Sequence, residues 1–347
     1  MNPAIRVDLL SDTQTRPTPG MRAAMAEAEV GDEQRGDDPS VNRLCARVAD
    51  LLGKEAALFL PSGTMANQVA ILVHCAPGDE ILAAELAHIF ASEAAGVAAL
   101  AGVQTRPLQA PTGIFTPDQV RAAVRPAKRN APRTRLVALE QTVNRGGGRI
   151  WPLAAIEAVA EGAREAGLLM HMDGARLLNA AVATGIEARA FAAPFDSLWL
   201  DLSKGLGCPA GAVMAGTADF VERAWQWKQR LGGAMRQAGV LAAAGLHALD
   251  HHVARLAEDH DNARAFAARI AVLPGVRLDP AEVETNLVFF DLEDTGKSAS
   301  DVAAALTADG VRIGVEGPTR MRAVTHLDVD RAGVEAAAEA LSRALVR

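Results

Sequence analysis

The chain has 347 residues, is 50% hydrophobic and carries a formal charge of −7 from 35 basic and 42 acidic side chains. That length supports a large domain with a smaller second one, and the well-mixed charges, without a basic tract or aromatic–basic interleaving, argue against nucleic acid. No apolar run reaches membrane-spanning length, and MNPAIRVDLLSDTQTRPTPG lacks the basic-then-apolar order of a signal peptide. Cys45, Cys75 and Cys208 have neither metal spacing nor an obvious disulfide set, so a reducing cytoplasm is expected.

In chain order, residues 1–20 read as an irregular segment, with Pro17 and Pro19 bracketing a turn before the helix-like MRAAMAEAE. SVNRLCARVADLLG repeats apolar residues at helical spacing and stops at Gly53. EAALFL is a strand, and PSGTMANQVAILVHC turns from it into a helix. DEILAAE, VQTRPLQ, TRLVALEQT, LLMHMDG and SLWLDLS read as further strands, several of them separated by alanine-rich helices such as PLAAIEAVAEGAREAG. This alternation implies an α/β fold with a mostly parallel central sheet flanked by helices. After residue 217 two long helical stretches follow, the second running from MRQAG to RIAVL. They lead to the strands NLVFFDL, GVRIGV and MRAVTHL of a smaller α+β C-terminal domain. The expected division is a segment 1–20, a large domain 21–249 and a small domain 250–347.

The glycine-flanked Lys204 of WLDLSKGLGCPAG lies between two apolar runs, DSLWLDL and GAVMAG. Its amine is expected to point into a site, with burial and nearby positive charge freeing it to attack a carbonyl. Ligands of parallel sheets bind beyond the carboxyl ends of the strands. Ser62, Gly63 and Thr64 open a helix there, where backbone N–H groups and a hydroxyl suit a phosphate, although the same residues also simply cap helices. His88 follows one strand and Asp173 ends another; alone, they read as a packed histidine and a cap. Their order changes the reading. A phosphate cup, a flat group for a ring face, an acid for a pyridine nitrogen and an imine-forming lysine are what pyridoxal phosphate requires.

Blocks spread over nearly the whole chain resemble the L-threonine aldolase family of fold-type-I pyridoxal phosphate enzymes. They are VDLLSDTQTRPTPGMRAAM, GDEQRGDDPSVNRL, GKEAALFLPSGTMANQVAI, HMDGARLLNAAVATG, LSKGLGCPAGAVMAG, KQRLGGAMRQAGVLAAAGLHALDHH and RAVTHLDV. The resemblance implies the fold-type-I transferase fold and cleavage of L-threonine, L-allo-threonine or a related β-hydroxy-α-amino acid to glycine and an aldehyde. It makes Lys204 the Schiff-base residue, Asp173 the partner of the ring nitrogen, and His88 the stacking group. Ser62, Gly63 and Thr64 take the phosphate. Ser11, Arg176 and Arg322 take the substrate's α-carboxylate, with Arg320 as a competing neighbour. The resemblance also implies a homotetramer with shared sites, in which Lys228 or Arg230 reaches a neighbour's phosphate. The hydroxyl proton goes to His88 or to a water it holds.

Two positions depart from the family pattern. Arg35 stands where a tyrosine is usual, in a chain without tyrosine, and Asn130 stands where a second histidine often meets the substrate hydroxyl. The exchange implies a polar or anionic β-substituent, or β-elimination in place of aldol cleavage. Alternatively, Arg35 pairs with Asp37 or Asp38 at a subunit contact. Other classes fit less well. Gly205, Gly207 and Gly211, or RGGG at 145–148, do not open a first βαβ unit as a nicotinamide site requires. His247, His251 and His252 read as a solvated helix face, and no metal is expected in the chemistry. A silent structural or regulatory homologue would have lost Lys204 or Asp173, and both are present.

Overall fold

A computed structural model describes residues 4–346; residues 1–3 and 347, the outer ends of the first and last expected segments, lie outside the described residues. A short strand β1 (Val7–Leu9) precedes the strands β2 (Ala56–Leu60), β3 (Asp79–Ala84), β4 (Gln104–Leu108), β5 (Arg133–Glu140), β6 (Leu169–Gly174), β7 (Ser197–Asp201) and β8 (Ala212–Gly216). The strands from β2 to β8 form one sheet in the order β2–β8–β7–β6–β5–β3–β4. Its pairings are parallel except for those of β8, which runs against both β2 and β7. The inner strands are buried on both faces, which is why they read as nearly continuous apolar runs: every residue of β3 is buried, as are Leu136 to Glu140 of β5.

Local sequence sets the helices. In the helix Pro39–Leu52, Asp38 caps the amides of Ser40 and Val41, and Pro39 occupies the first turn, where a missing N–H costs nothing. Val41, Leu44, Val48 and Leu52 then bury one stripe against the sheet.

Past the large sheet come β9 (Val276–Arg277), β10 (Leu287–Leu292), β11 (Val311–Val315) and β12 (Arg320–Val324). The small sheet has the order β1–β11–β12–β10–β9, with β1 parallel to β11 through Val7 and Val311. The segment read as irregular therefore supplies a strand to the small sheet. Leu9 is fully buried in the second core, with residues from Ala263 to Ala344, whereas the main core runs from Met21 to Leu256.

The long helical stretch expected from residue 235 is also divided, into Gly239–His251 and Leu256–Ile270. His252 leaves the helix to donate from Nδ1 to the Leu206 carbonyl at 2.7 Å. Leu256 packs so closely on Gly205 that a Cβ there would meet its Cδ2 at 2.8 Å. The break thus braces the loop that carries Lys204. It also corrects the reading of a solvated histidine face, since His252 is 5% exposed. Among the described residues no helix is long and apolar enough to cross a membrane.

Lys228, in the helix Ala218–Arg230, is fully buried and paired with Glu33 beneath the ring of Trp225. Glu33 also accepts from the Met235 amide at 2.8 Å. Lys228 is therefore committed inside its own protomer and is not free for a neighbour's phosphate. Removing one member of such a pair strands the other charge, so Lys228→Met should lower the stability by about 3–5 kcal/mol in denaturant titrations. Lys228→Met combined with Glu33→Leu should recover most of that loss.

Candidate active site

A cleft of about 340 Å³ opens at the carboxyl ends of the sheet strands. Its wall brings together Ser62, Gly63 and Thr64 after β2, His88 after β3, Glu140 at the end of β5, Asp173 in β6, and Asp201 and Lys204 at and beyond the end of β7. Ser11 and Arg176 join them, and β12 brings Arg322 from the small sheet. Residues far apart in sequence converge because successive parallel strands end at the same edge.

The helix Gly63–His74 begins in this cleft. Ser62 adopts extended backbone angles and accepts from the Met65 amide at 3.2 Å, which leaves the first helical N–H groups facing the opening. Gly63 is required by a close approach: a Cβ there would lie 2.2 Å from the Trp199 ring. The indole is held in turn by its Nε1, which donates to Asn67 Oδ1 at 2.7 Å.

Asn67 links the acids of the site. Its Nδ2 donates to Asp173 Oδ2 and to Glu93 Oε1, each at 2.8 Å. Glu93 accepts from Gln68 Nε2 at 2.6 Å and pairs at 2.9 Å with His88 Nδ1. The bond to Glu93 raises the His88 pKa above its usual value against the opposing effect of burial, with Asp173 and Glu140 adding to the rise. Asp173 accepts from the Ala175 amide at 3.1 Å. Burial, reinforced by the neighbouring Glu140, pushes its carboxyl up to about 7 despite Lys204 and Asn67. His88, Glu93 and Asp173 place donor atoms within 4.8 Å of one another. The amide hydrogens of Asn67 already tie the two acids together, so the cluster is built as a hydrogen-bond network.

Asp12 and Arg176 form a buried bidentate pair, both contacts at 2.7 Å. Burial would raise the Asp12 pKa, but the guanidinium outweighs it and holds the carboxyl well below the usual carboxylate range. Arg176 therefore lines the cleft with its Nε–Nη2 edge already occupied. Arg322 is more available. Its Nη1 meets Asn144 Oδ1 and Glu316 Oε1 at 3.0 Å, and its buried Nε has no hydrogen-bond partner.

Other expected positions lie elsewhere. Arg320 pairs with Asp291 at 3.4 Å and covers the Phe289 ring, lining a separate cavity of about 580 Å³. It does not compete with Arg322 for the cleft. Arg35 has a 78% exposed side chain, and its acidic neighbour within the chain is Asp32 at 4.0 Å. Asn130 and Arg230 are also exposed, with Arg230 stacked on Trp227; none of the three lines the cleft.

The amine of Lys204 does reach into the site, with its side chain 19% exposed, but its close ionic neighbour is the carboxylate of Asp201 at 3.0 Å and not a positive charge. Asp201, Asn67, Glu93 and Asp12 escaped the sequence reading. The partners of Asn67, Glu93 and Asp12 lie on other elements, and only Asp201, three residues before Lys204 in DLSK, gave a local hint.

The donor set fits pyridoxal phosphate: an N-terminal helix cradle without room for a side chain, a buried acid, an imidazole beside it, a reachable lysine amine and an orphaned guanidinium Nε. Comparisons with known proteins agree. The beta-eliminating lyase family model matches residues 8–293. The chain is 42% identical over 326 residues to the low specificity L-threonine aldolase of Escherichia coli K12, covering 94% of this chain and 95% of that one. It is 39% identical over 333 residues to low-specificity L-threonine aldolase 1 of Arabidopsis thaliana, covering 94% and 93%. The structure of the Leishmania major threonine aldolase superposes with a TM-score of 0.82 at 21% identity, covering 98% of this chain and 99% of that one. With this fold-type-I architecture and this extent of similarity, the chain belongs to the beta-eliminating lyase family, in its L-threonine aldolase branch.

Proposed function

We propose that the protein is a pyridoxal phosphate-dependent aldehyde-lyase that splits L-threonine, L-allo-threonine or a related β-hydroxy-α-amino acid into glycine and an aldehyde. The observation that carries this reading is the convergence of Lys204, Asp173, His88, the helix start at Gly63 and Arg322 on one cleft. Lys204 would hold the cofactor covalently, the helix start and the Thr64 hydroxyl its phosphate, and Asp173 the proton of its ring nitrogen. When bound, the cofactor supplies an electron sink for the carbon left when the Cα–Cβ bond breaks.

The chain's own groups do the rest. Arg322, with Ser11, fixes the substrate carboxylate, which orients the bond to be cleaved. His88, its Nδ1 held by Glu93, has Nε2 for the β-hydroxyl proton, directly or through a water. The exposed Arg35, Asn130 and Arg230 are positions that a neighbouring subunit would cover in a cytoplasmic homotetramer. The three thiols are free, in keeping with a reducing compartment.

Product analysis of the cofactor-loaded protein with L-threonine, L-allo-threonine, L-phenylserine, L-serine and L-threo-3-hydroxyaspartate tests the reading. Glycine with the matching aldehyde is expected, and ammonia with a 2-oxo acid would replace it by β-elimination. Arg322→Ala should lower kcat/KM by about 10- to 100-fold, mostly through KM, because a hydrogen bond to a charged group contributes about 1.5–3 kcal/mol. Arg320→Ala should change it less than about twofold, as for other surface pairs. Steady-state kinetics of the two variants checks the assignment.

A further inference from the structure

Strand β7 ends in a residue whose charge the reaction scheme above does not use. Asp201 places Oδ2 3.0 Å from Lys204 Nζ, and its side chain is only 6% exposed. Its Oδ1 accepts from both the amide and the hydroxyl of Ser203, at 2.7 and 2.8 Å. The carboxylate is thus locked in one orientation, with its second oxygen aimed at the amine. The lysine backbone is fixed as well, because its carbonyl accepts from Thr15 Oγ1 at 2.8 Å and from the Gly207 amide at 2.9 Å.

The other charged groups around the amine have partners of their own. Asp12 is bound by Arg176. Glu140 accepts from the backbone amides of His88 and Asn144, each at 3.0 Å. Asp173 is held by Asn67 and Ala175, His88 by Glu93, and Arg322 by Glu316 and Asn144. Among the described residues, Asp201 is the acid in ion-pair contact with Lys204.

Resting on the reading of Lys204 as the cofactor lysine, we propose that Asp201 is a positioning residue: it holds the free Lys204 amine in an ion pair of fixed orientation and so sets how readily the lysine takes up pyridoxal phosphate. Only the neutral amine adds to a carbonyl, and a carboxylate in contact favours the charged form of its partner. Nζ gives one proton to solvent before it adds to the aldehyde, whose oxygen leaves as water, and when a substrate amine displaces the lysine, Nζ takes up the proton that the substrate ammonium loses. Paired again with Asp201, the released lysine has no lone pair with which to take a proton from the substrate's Cα. The cleft thereby separates the lysine's carrier role from base chemistry.

Asp201→Asn isolates the charge, because the amide oxygen still accepts from Ser203. Cofactor-free protein is mixed with pyridoxal phosphate between about pH 6 and 10, and the rate at which the yellow chromophore forms is followed. The variant should take up the cofactor roughly tenfold faster than wild type at pH 7. Asp201→Glu, which keeps the charge, should change the rate less. Identical profiles for wild type and Asp201→Asn would overturn the proposal and leave Asp201 as a turn cap.

A second readout needs no cofactor. Acylation of Lys204 in the free protein, mapped by mass spectrometry, should be faster at neutral pH in Asp201→Asn, and equal rates would also refute the pairing role. Thermal unfolding of each variant confirms that the site is folded. Should wild type form no chromophore while the acylation rates still differ, the cofactor reading fails and the Asp201–Lys204 pairing stands.

Discussion

Lys204→Ala is expected to reduce turnover of β-hydroxy-amino acids by about 10⁴-fold or more, on the scale seen when a covalent catalytic residue is deleted. Three features place the whole effect on this one side chain. Its amine is the lysine amine that enters the cleft beside Asp173. The loop is braced by Leu256 against Gly205 and by Thr15 on the Lys204 carbonyl, and among the described residues no other lysine lines the cleft. The fully buried Lys228 is held by Glu33. The variant should still bind pyridoxal phosphate weakly, through the helix start and Asp173, but without borohydride-stable attachment. Turnover within about tenfold of wild type would remove Lys204 from the chemistry.

Asp173→Asn carries the second large effect. An amide carries no negative charge and is too weak a base to keep a proton on a pyridine nitrogen. Asn67 Nδ2 already points at this position, and its oxygen is held by Trp199, so the amide cannot be accommodated by a flip. Activity should fall by about 10²–10⁴-fold, the usual weight of a group that controls a proton in the transition state. The cofactor-free protein offers an independent readout. Burial and Glu140 raise the Asp173 carboxyl from 3.8 to about 7, so the folded chain holds a proton there that the unfolded chain releases. The stability this proton contributes is present below about pH 4 and is lost as the pH rises through 7. Thermal unfolding of the cofactor-free protein should show that loss between about pH 4 and 7, on the order of a few kcal/mol. The slope should flatten in Asp173→Asn. Equal slopes would mean that the carboxyl ionises normally in the folded chain.

What could be read from sequence, and what could not, follows the range of the interactions involved. The strands of the large sheet are near-continuous apolar runs, because both faces are covered, and they stand out without their partners. Lys204, Asp173 and His88 lie at the ends of such runs, so the topology that brings them together is implied by their order. Strand β1 is only three residues long, and its pairing with Val311–Ile313 joins the two ends of the chain, beyond any local pattern. The pair Asp12–Arg176 spans 164 positions, and the links from Asn67 to Glu93 and Asp173 span 26 and 106. Arg320 and Arg322 share a face of β12, so alternation cannot separate them; what does is the partner each meets, Asp291 and Phe289 for one, Asn144 and Glu316 for the other. The family resemblance alone assigns Lys228 to a neighbour's phosphate. Only the packing of Glu33 beneath it shows otherwise.

The central claim, that this cleft holds pyridoxal phosphate on Lys204, is tested most directly by reducing the cofactor-loaded protein with borohydride, digesting it and mapping the modified peptide by mass spectrometry. A single pyridoxyl group on Lys204, absent when cofactor is omitted, is the predicted result. A label on another lysine, or none in a protein that nevertheless cleaves L-threonine, would contradict it.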